Sequence, residues 1–235
     1  KRHPENKGLN LTRESLKEKV KHNGIVLRRI PFHTNIYNNK HDLLLSKQPF
    51  LESQIAAISD DVAYNNHDVE DAIRAGLLSI DQLQENIFFN NIIKQLKKEY
   101  TIIDDKLLMF QVLRKSMSMM IQDIYNQTNK TIIDLEINTK KDLQNSNQFI
   151  VSFSPSMQSK ANDIKLFLFD NVYNHQNLLD KRQNVEKIIS NLFKYFYKSP
   201  NKLPGDWRSI NEPIERVICD YISGMTDRYA SRLHK

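Results

Sequence analysis

Residues 51–78 constrain the fold more than any other segment, because apolar and acidic side chains recur there at helical spacing. At about 100° per residue, a stripe of β-branched side chains falls between about 160° and 220° from Asp60. The stripe consists of Ile55, Ile58, Val62, Val69 and Ile73. The opposite face holds Asp60, Tyr64, His67, Asp68 and Asp71. The pattern predicts one long amphipathic helix with its apolar stripe in the core.

Further helices are predicted along most of the chain. Only 5 glycines and 7 prolines occur in 235 residues, which favours long helices over many tight turns. Asn10 or Thr12 is expected to cap a short first helix that stops at Gly24. The other helices are predicted at residues 88–98, 107–126, 157–175, 177–197 and 212–233. Residues 25–50 are expected to form an irregular loop.

Residues 127–155 have a different character from the rest of the chain. Ile132, Ile133 and Phe149 stand among turn-forming residues, which predicts a small irregular or β excursion, as an insertion or a hairpin. We therefore expect a mostly α-helical fold in three parts. These are residues 1–126, the excursion at 127–155, and a helical C-terminal region at 156–235 that packs on the same core.

Charge and composition limit the classes of partner. The formal net charge of +6 suits anionic partners such as nucleotides or nucleic acid. The single cysteine, Cys219, excludes an internal disulfide, a CxxC redox site and a cysteine-based zinc cluster, and it fits a reducing compartment. No apolar run approaches the roughly 18 residues that span a bilayer. These features predict a cytoplasmic protein without a membrane partner.

The acidic face of the 51–78 helix has two interpretations. It is either an ordinary solvated face or a set of carboxylates directed at a cation. The outward face has no Lys or Arg before Arg74, so its acids lack an i,i+4 partner and repel one another. Tyr64 lies between two carboxylates. An aromatic ring in that position suggests a surface that packs against a planar or cyclic group. Helical geometry alone leaves both interpretations open.

Four segments together resemble one known family. They are 52-ESQIAAISDDVAYNNHDVEDAIRAGL-77 and residues 8–24, 166–179 and 216–234, in the family's order. The first is similar to the signature helix of the bacterial dGTP triphosphohydrolase-like proteins, in the HD-domain superfamily of metal-dependent phosphohydrolases. The resemblance implies an HD-type helical bundle, a homo-oligomer, and a divalent metal, Mg²⁺ or Mn²⁺. It also implies hydrolysis of a deoxynucleoside triphosphate to the deoxynucleoside and triphosphate.

The resemblance assigns roles to four residues of this chain. Asp60 matches the acid that ligates the metal, and Tyr64 matches the ring that packs on the deoxyribose and excludes a 2′-hydroxyl. Asp68 matches the acid that receives the sugar 3′-hydroxyl, and Lys21 matches a triphosphate contact. The D-x3-Y-x3-D spacing sets the first three groups in a line along one helix, at about 6 Å per four residues.

Other histidine-containing pairs receive weaker assignments. The dipeptides 41-HD-42 and 67-HD-68 are literal His-Asp pairs, but neither occupies the position of the family's metal-binding pair. His67 is expected to lie beside the site or at the surface. Tyr173 and His175 match a family segment near the nucleotide pocket, where they either contact substrate or seat their own helix.

The family's first metal-binding His, its His-Asp pair and its catalytic His/Glu segment have no counterpart in residues 1–59. His3, His22 and His33 lack the neighbours that those motifs require. No catalytic residue is therefore assigned here, and such residues are expected upstream of Lys1. Asp60 alone would hold a hard divalent ion weakly, because water would fill the rest of the coordination shell.

Three functional hypotheses follow from these residues. The chain is part of a dNTP triphosphohydrolase, which the signature helix favours. Alternatively it is a non-catalytic remnant or partner subunit that binds nucleotide or single-stranded DNA, which the missing motifs and the positive charge favour. The third possibility is a fragment that exposes apolar surface where absent helices would pack.

Overall fold

A computed structural model of the chain describes residues 11–100, 102 and 104–234. All regular structure in these ranges is helical and no strand occurs. None of the described helices combines the length and apolarity needed to cross a bilayer. The mostly α-helical fold predicted from the sequence is therefore confirmed. Asn10, one of the two predicted N-caps, and His3 lie outside the described residues.

The chain divides into two compact units, Lys1–Phe169 and Asp170–Lys235. The described part of the first unit contains α1 (Arg13–Val20), α2 (Phe32–Lys40), α3 (Leu51–Arg74), α4 (Ile80–Leu83), α5 (Ile87–Glu99), α6 (Asp105–Asp134), α7 (Lys140–Asn145) and α8 (Pro155–Leu168). A π-helical turn at Phe169–Tyr173 follows. The second unit then contains α9 (Gln176–Lys198), a 3-10 turn (Pro200–Lys202), α10 (Gly205–Arg208), α11 (Ile214–Ser223) and α12 (Asp227–His234). The three-part division at residues 126 and 155 stays a prediction.

The core of the first unit forms where α3 and α5 pack on α6. The buried face of α5 consists of Phe88, Phe89, Ile92, Ile93 and Leu96. α3 and α6 run antiparallel, as two contacts between them show. The Arg74 guanidinium lies 5.9 Å from the centroid of the Phe110 ring, whereas Asn66 Nδ2 lies 3.6 Å from the Met120 sulfur. Residue numbers therefore increase along α3 in the direction in which they decrease along α6.

The predicted apolar stripe of α3 is buried over only part of its length. Val62 and Val69 are 6% and 0% exposed, as predicted, but Ile55 is 49% exposed. The prediction of a core position for Ile55 is wrong, because α3 borders an open groove there. Two amides, Asn65 and Asn66, are buried instead, and Asn66 Nδ2 donates to the Val62 carbonyl at 2.7 Å.

Two further segments differ from the sequence prediction. α2 lies inside the predicted irregular loop 25–50, and none of its residues is buried, so it has no apolar periodicity to reveal it. Residues 127–134 continue α6, and α7 follows after a short connection. Residues 127–155 contain no strand. The hairpin alternative is therefore wrong, and the part of this segment outside α6, α7 and the start of α8 is irregular.

In the second unit, α9 packs on α11 and α12. The buried core of this unit consists of Leu192, Phe196, Leu203, Val217, Ile218, Ile222 and Ala230. α11 and α12 replace the single predicted helix at 212–233, because Gly224 is a weak helix former and Thr226 begins a new helix. The Thr226 hydroxyl accepts a hydrogen bond from Tyr229 N at 3.2 Å, as the side chain of an N-cap residue does.

The start of α3 is held by a neighbouring helix, since its own N-cap residue, Phe50, has no side-chain acceptor. A carboxylate oxygen of Glu18, on α1, accepts a hydrogen bond from Phe50 N at 2.6 Å. One turn on, Ser53 Oγ donates to the Glu18 carbonyl at 3.0 Å. A negative charge at a helix N-terminus also interacts favourably with the helix dipole. α1 thus fixes where α3 begins.

Gln54 joins the first turn of α3 to the segment before α8. Its side chain is buried, and its Nε2 donates to the Pro49 carbonyl at 2.9 Å. Its Oε1 accepts from Ile150 N at 2.8 Å and from Val151 N at 3.0 Å. Three backbone groups are therefore satisfied by one amide, and any apolar substitute would leave all three without this partner.

We predict that Gln54→Leu lowers the free energy of unfolding by roughly 2–5 kcal/mol, because buried donors and an acceptor lose their partner. Urea denaturation measures the change. Gln122→Leu on α6 is the matched control, since that exposed amide donates to the exposed Asn126 side chain one turn away, and it should change stability by less than about 0.5 kcal/mol. Equal effects of the two substitutions would contradict the role given to Gln54.

Candidate functional site

The three residues of the D-x3-Y-x3-D pattern lie on one unbroken helix, α3. Each is one turn from the next, so their Cα atoms follow the helix axis at about 6 Å intervals. The side chains of Asp60 and Tyr64 are exposed, whereas Asp68 is half-buried. The structure therefore presents a carboxylate and an aromatic ring to solvent on adjacent turns.

Asp60 and Tyr64 line a cleft of about 400 Å³ in the first unit. Its other walls come from the turn after α1 and from the segment around α8, which contribute His22, Phe149 and Gln158. Asp68 does not line this cleft. The cleft combines two carboxylates, an imidazole, a phenol and several side-chain amides with the faces of two aromatic rings. A concave surface on which a few polar groups converge is typical of small-molecule sites.

His22 is the site residue that sequence reasoning missed. Its Nε2 lies 3.6 Å from a carboxylate oxygen of Asp60, and the two side chains are 40% and 69% exposed. Local sequence could not reveal the pair, because the two residues are far apart in the chain. The relevant signal was Gly24, whose positive φ of 107° ends the turn after α1. A Cβ at Gly24 would lie 3.1 Å from the Phe149 ring, so glycine permits this close approach.

Lys21 lies deeper than a surface phosphate contact would. It is 0% exposed, and its Nζ donates to the Gln48 carbonyl at 3.2 Å and to the Lys47 carbonyl at 3.4 Å. The Glu18 carboxylate lies 3.5 Å from Nζ. Lys21 thus supports the same carboxylate that holds the start of α3. Its predicted contact with triphosphate stays a prediction.

Burial lowers the pKa of Lys21 below its ordinary value of 10.5, and the adjacent Glu18 carboxylate opposes this shift only partly. Desolvation disfavours the charged amine, whereas the neighbouring negative charge favours it. The folded protein therefore releases this proton at a lower pH than the unfolded chain does.

Two further acids of α3 have basic partners, and one of them, Asp61, also lines the cleft. Lys165 on α8 lies 2.9 Å from the Asp61 carboxylate, a pairing between helices that spacing within α3 could not show. Glu70 accepts from Arg74 at 2.6 Å, and His67 Nδ1 lies 3.7 Å from the same carboxylate. These contacts agree with a surface position for His67, since its side chain is 61% exposed.

Tyr173 and His175 lie in the second unit, apart in sequence from the residues of the cleft. Tyr173 ends the π-helical turn and is half-buried. His175 is the N-cap of α9, where its Nδ1 accepts from Asn177 N at 3.3 Å. This capping bond gives His175 a structural role at the start of its own helix, which is one of the two roles that the sequence left open. A contact of either side chain with substrate stays a prediction.

Comparison with known proteins shows which family this chain resembles. Residues 151–235 match the family model described as phosphohydrolase-associated domain. A deoxyguanosinetriphosphate triphosphohydrolase-like protein of Bartonella quintana is 36% identical over 236 residues, which is 96% of this chain and 59% of the relative. The protein of the same name in Brucella melitensis is 32% identical over 241 residues, 97% of this chain and 60% of the relative.

The chain belongs to this dGTP triphosphohydrolase-like family. A third relative, from Bartonella henselae, is 36% identical over the same share of the chain. The family resemblance predicted from α3 and three other segments is therefore confirmed. The chain spans about three fifths of the length of the relatives it matches. The phosphohydrolase-associated region begins at Val151 and does not include α3, so the candidate cleft draws residues from both sides of that boundary.

The lowered pKa of Lys21 predicts a pH dependence of stability. Between that pKa and 10.5, the unfolded chain binds the proton more fully than the folded protein, so the free energy of unfolding rises with pH. The stability of the wild type relative to Lys21→Met should therefore increase as the pH is raised from neutral toward 10.5. Urea denaturation at each pH measures it.

Lys19→Met is the control for this titration, because Lys19 is exposed in the last turn of α1, just before Lys21. Its stability difference from the wild type, measured over the same pH range, is the baseline with which that of Lys21→Met is compared. A difference for Lys21→Met that follows this baseline would show that burial does not shift the pKa of Lys21.

Proposed function

We propose that this chain provides the metal-facing and sugar-facing wall of a dNTP triphosphohydrolase active site. The observation that carries the proposal is the cleft in which Asp60, Tyr64 and His22 lie together. Membership of the dGTP triphosphohydrolase-like family supports the reaction class, since the relatives carry that name. In this reaction water adds to the α-phosphorus, and the bond from phosphorus to the 5′-oxygen breaks to give the deoxynucleoside and triphosphate.

Asp60 and His22 are the residues of the cleft that would hold a divalent metal. A carboxylate oxygen and an imidazole nitrogen 3.6 Å apart form a donor set that suits Mn²⁺, and water or further protein ligands would complete it. When bound, such an ion polarises a phosphoryl oxygen and neutralises developing charge. Two donors support only weak binding, so additional ligands belong to this proposal.

Tyr64 would select the sugar. Its ring is 66% exposed, one helical turn beyond Asp60, and so presents an apolar face to a group seated beside the metal. A ring packed against deoxyribose leaves no room for a 2′-hydroxyl. Asp68, one turn further, would accept a hydrogen bond from the 3′-hydroxyl. This arrangement predicts discrimination by shape at one position and by hydrogen bonding at the next.

The alternative is a non-catalytic partner subunit that binds nucleotide or single-stranded DNA. The small number of metal donors favours it, because His22 and Asp60 would supply only two of the roughly six ligands around a hard divalent ion. The net charge of +6 suits either anion. Hydrolysis and binding separate the two proposals experimentally.

The metal assignment predicts weaker Mn²⁺ binding in both Asp60→Asn and His22→Ala, each by roughly tenfold or more. The electron paramagnetic resonance signal of free Mn²⁺ measures affinity without any turnover. His67→Ala is the matched control, since His67 also contacts a carboxylate of α3, that of Glu70, but outside the cleft. Similar affinities for all three variants would contradict the assignment.

The sugar assignment predicts that Tyr64→Ala lowers the preference for dNTP over NTP by roughly tenfold. Calorimetric titration with both classes of nucleotide in the presence of Mn²⁺ measures the preference. Tyr195→Ala is the control, because Tyr195 is exposed in the second unit. An unchanged preference in Tyr64→Ala would mean that the ring does not contact the sugar.

A direct assay distinguishes the hydrolase from the partner subunit. The chain is incubated with each dNTP and Mn²⁺ or Mg²⁺, and triphosphate is quantified by ion chromatography. Release of triphosphate that Asp60→Asn abolishes supports the hydrolase. Binding of dNTP without release supports the partner subunit, and the absence of both contradicts both proposals.

A further inference from the structure

The first half of α9 carries an apolar stripe that the core of the second unit does not cover. Leu192 and Phe196, in the second half of α9, are each 2% exposed. Ile189 and Val185 lie on the same side of the helix, because they precede Phe196 by about two and three helical turns. They are nevertheless 42% and 55% exposed. One helix face is therefore buried toward its C-terminal end and open to solvent before it.

The end of α12 marks the point where this burial stops. His234, the last residue of α12, contacts α9 at Asn191, whose Nδ2 lies 2.9 Å from His234 Nε2. One turn earlier in α12, Ala230 belongs to the same buried core as Leu192. α12 therefore covers α9 from about Asn191 toward the C-terminal end, and residues 181–187 of α9 are all exposed.

Two opposite charges lie one turn apart beside the uncovered stripe. Arg182 and Glu186 are both exposed, and neither forms an ion pair with another residue in the part of the chain that the structure describes. Within one helix, a basic residue that precedes an acidic residue by four positions is in the less favourable order for a pair. Both charges are therefore open to a partner outside the helix.

A second copy of the chain presents the complementary surface when two α9 helices pair antiparallel. In a twofold interface, residue i of one copy contacts residue j of the other, and j contacts i. With the axis midway between Arg182 and Glu186, each Arg182 lies at the level of the other copy's Glu186. Leu178 then lies within about 2 Å of the level of Ile189, and the two Val185 side chains lie within about 3 Å of the same level.

The angular positions of these residues fit the same arrangement. Arg182 and Glu186 lie about 40° and 80° from Leu178, on the same side of the stripe. Across an antiparallel helix pair, residues on the same side of the stripe face each other, so the two opposite charges meet. In a parallel pair, Arg182 would instead lie at the level of Arg182 and Lys181 of the other copy, where like charges repel.

The charges on α9 argue against an anionic polymer as the occupant. Asp180 and Glu186 alternate with Lys181, Arg182 and Lys187 along the exposed half of the helix. A phosphate backbone would meet both acids, whereas the antiparallel copy places Glu186 opposite a base. Nucleic-acid-binding surfaces collect basic residues on one face, and this face has no such excess.

We propose that residues 176–190 of α9 form an interface at which two copies of this chain associate as an antiparallel helix pair. Leu178, Val185 and Ile189 of both copies form its apolar centre, and two ion pairs between Arg182 and Glu186 flank it. A pair of helices of about four turns is smaller than a standard interface, so we expect a dissociation constant in the micromolar range or weaker. No residue of α9 lines the cleft of the first unit, so the proposal does not depend on the proposed function.

Exchanging the two charges tests the proposal. Sedimentation velocity gives the dissociation constant of the dimer for the wild type, Arg182→Glu, Glu186→Arg and the double variant R182E/E186R. Each single exchange places like charges opposite each other and should weaken association by about tenfold or more, whereas the double variant should return to within about threefold of the wild type. A wild-type chain that stays monomeric up to about 500 µM overturns the proposal, and so does a dimer that the single exchanges leave unchanged.

Cross-linking tests the arrangement of the two helices by a separate measurement. Because Cys219 is exposed, Cys219→Ser is the background, and Val185→Cys is compared with Gln183→Cys in the presence of a short bismaleimide. Gln183 is also exposed but lies about 160° around the helix from Val185. Cross-linked dimer should form about tenfold faster or more at position 185 than at position 183. Equal rates at the two positions would overturn the antiparallel pair.

An oligonucleotide titration distinguishes the other class of occupant. If α9 binds an anionic polymer, Arg182→Glu weakens binding of single-stranded DNA and Glu186→Arg strengthens it. That result, together with a monomeric chain, would overturn the proposal. Sedimentation and cross-linking require neither metal nor nucleotide, so a failure of this interface is distinguishable from a failure of the proposed function, which metal binding and triphosphate release measure.

Discussion

Buried polar groups hold the first turn of α3, and the candidate site depends on that hold. Glu18 binds Phe50 N from one side, and Gln54 binds the backbone at Ile150 and Val151 from the other. Because α3 continues without interruption, a shift at its first turn is carried to Asp60. Val151 also lines the cleft, so Gln54 fixes two of its walls relative to each other.

Local patterns explain what the sequence could predict. Val62 and Val69 are buried as their helical phase requires, and Thr12 caps α1 through Ser15 N, because periodicity and capping involve residues within one or two turns. Ile55 has the same phase but is exposed, since burial also requires a neighbour at that level of the helix. α2 was missed for the opposite reason, because a helix without a buried face has no periodic signal.

The rest of the candidate site depends on contacts between distant segments. His22 lies 3.6 Å from Asp60 on the turn after α1. That turn approaches the Phe149 ring at Gly24, where a Cβ would lie 3.1 Å from the ring and the positive φ favours glycine. Lys21, its neighbour, points the other way into the protein and binds the backbone before α3. In a tight turn, adjacent side chains commonly point in opposite directions. Helical spacing therefore does not predict that His22, and not Lys21, faces the cleft.

The acids of α3 separate into two groups once their neighbours are known. Asp61 and Glu70 form ion pairs with Lys165 and Arg74, and pairs near the surface contribute about 0–1 kcal/mol each. Asp60 instead faces an imidazole inside a cleft, where a cation would relieve a carboxylate that no Lys or Arg contacts within 4 Å among the described residues. The acidic face is therefore not uniform. Asp60 and Asp61 both line the cleft, where Asp61 is paired with Lys165 and Asp60 lies beside the imidazole of His22.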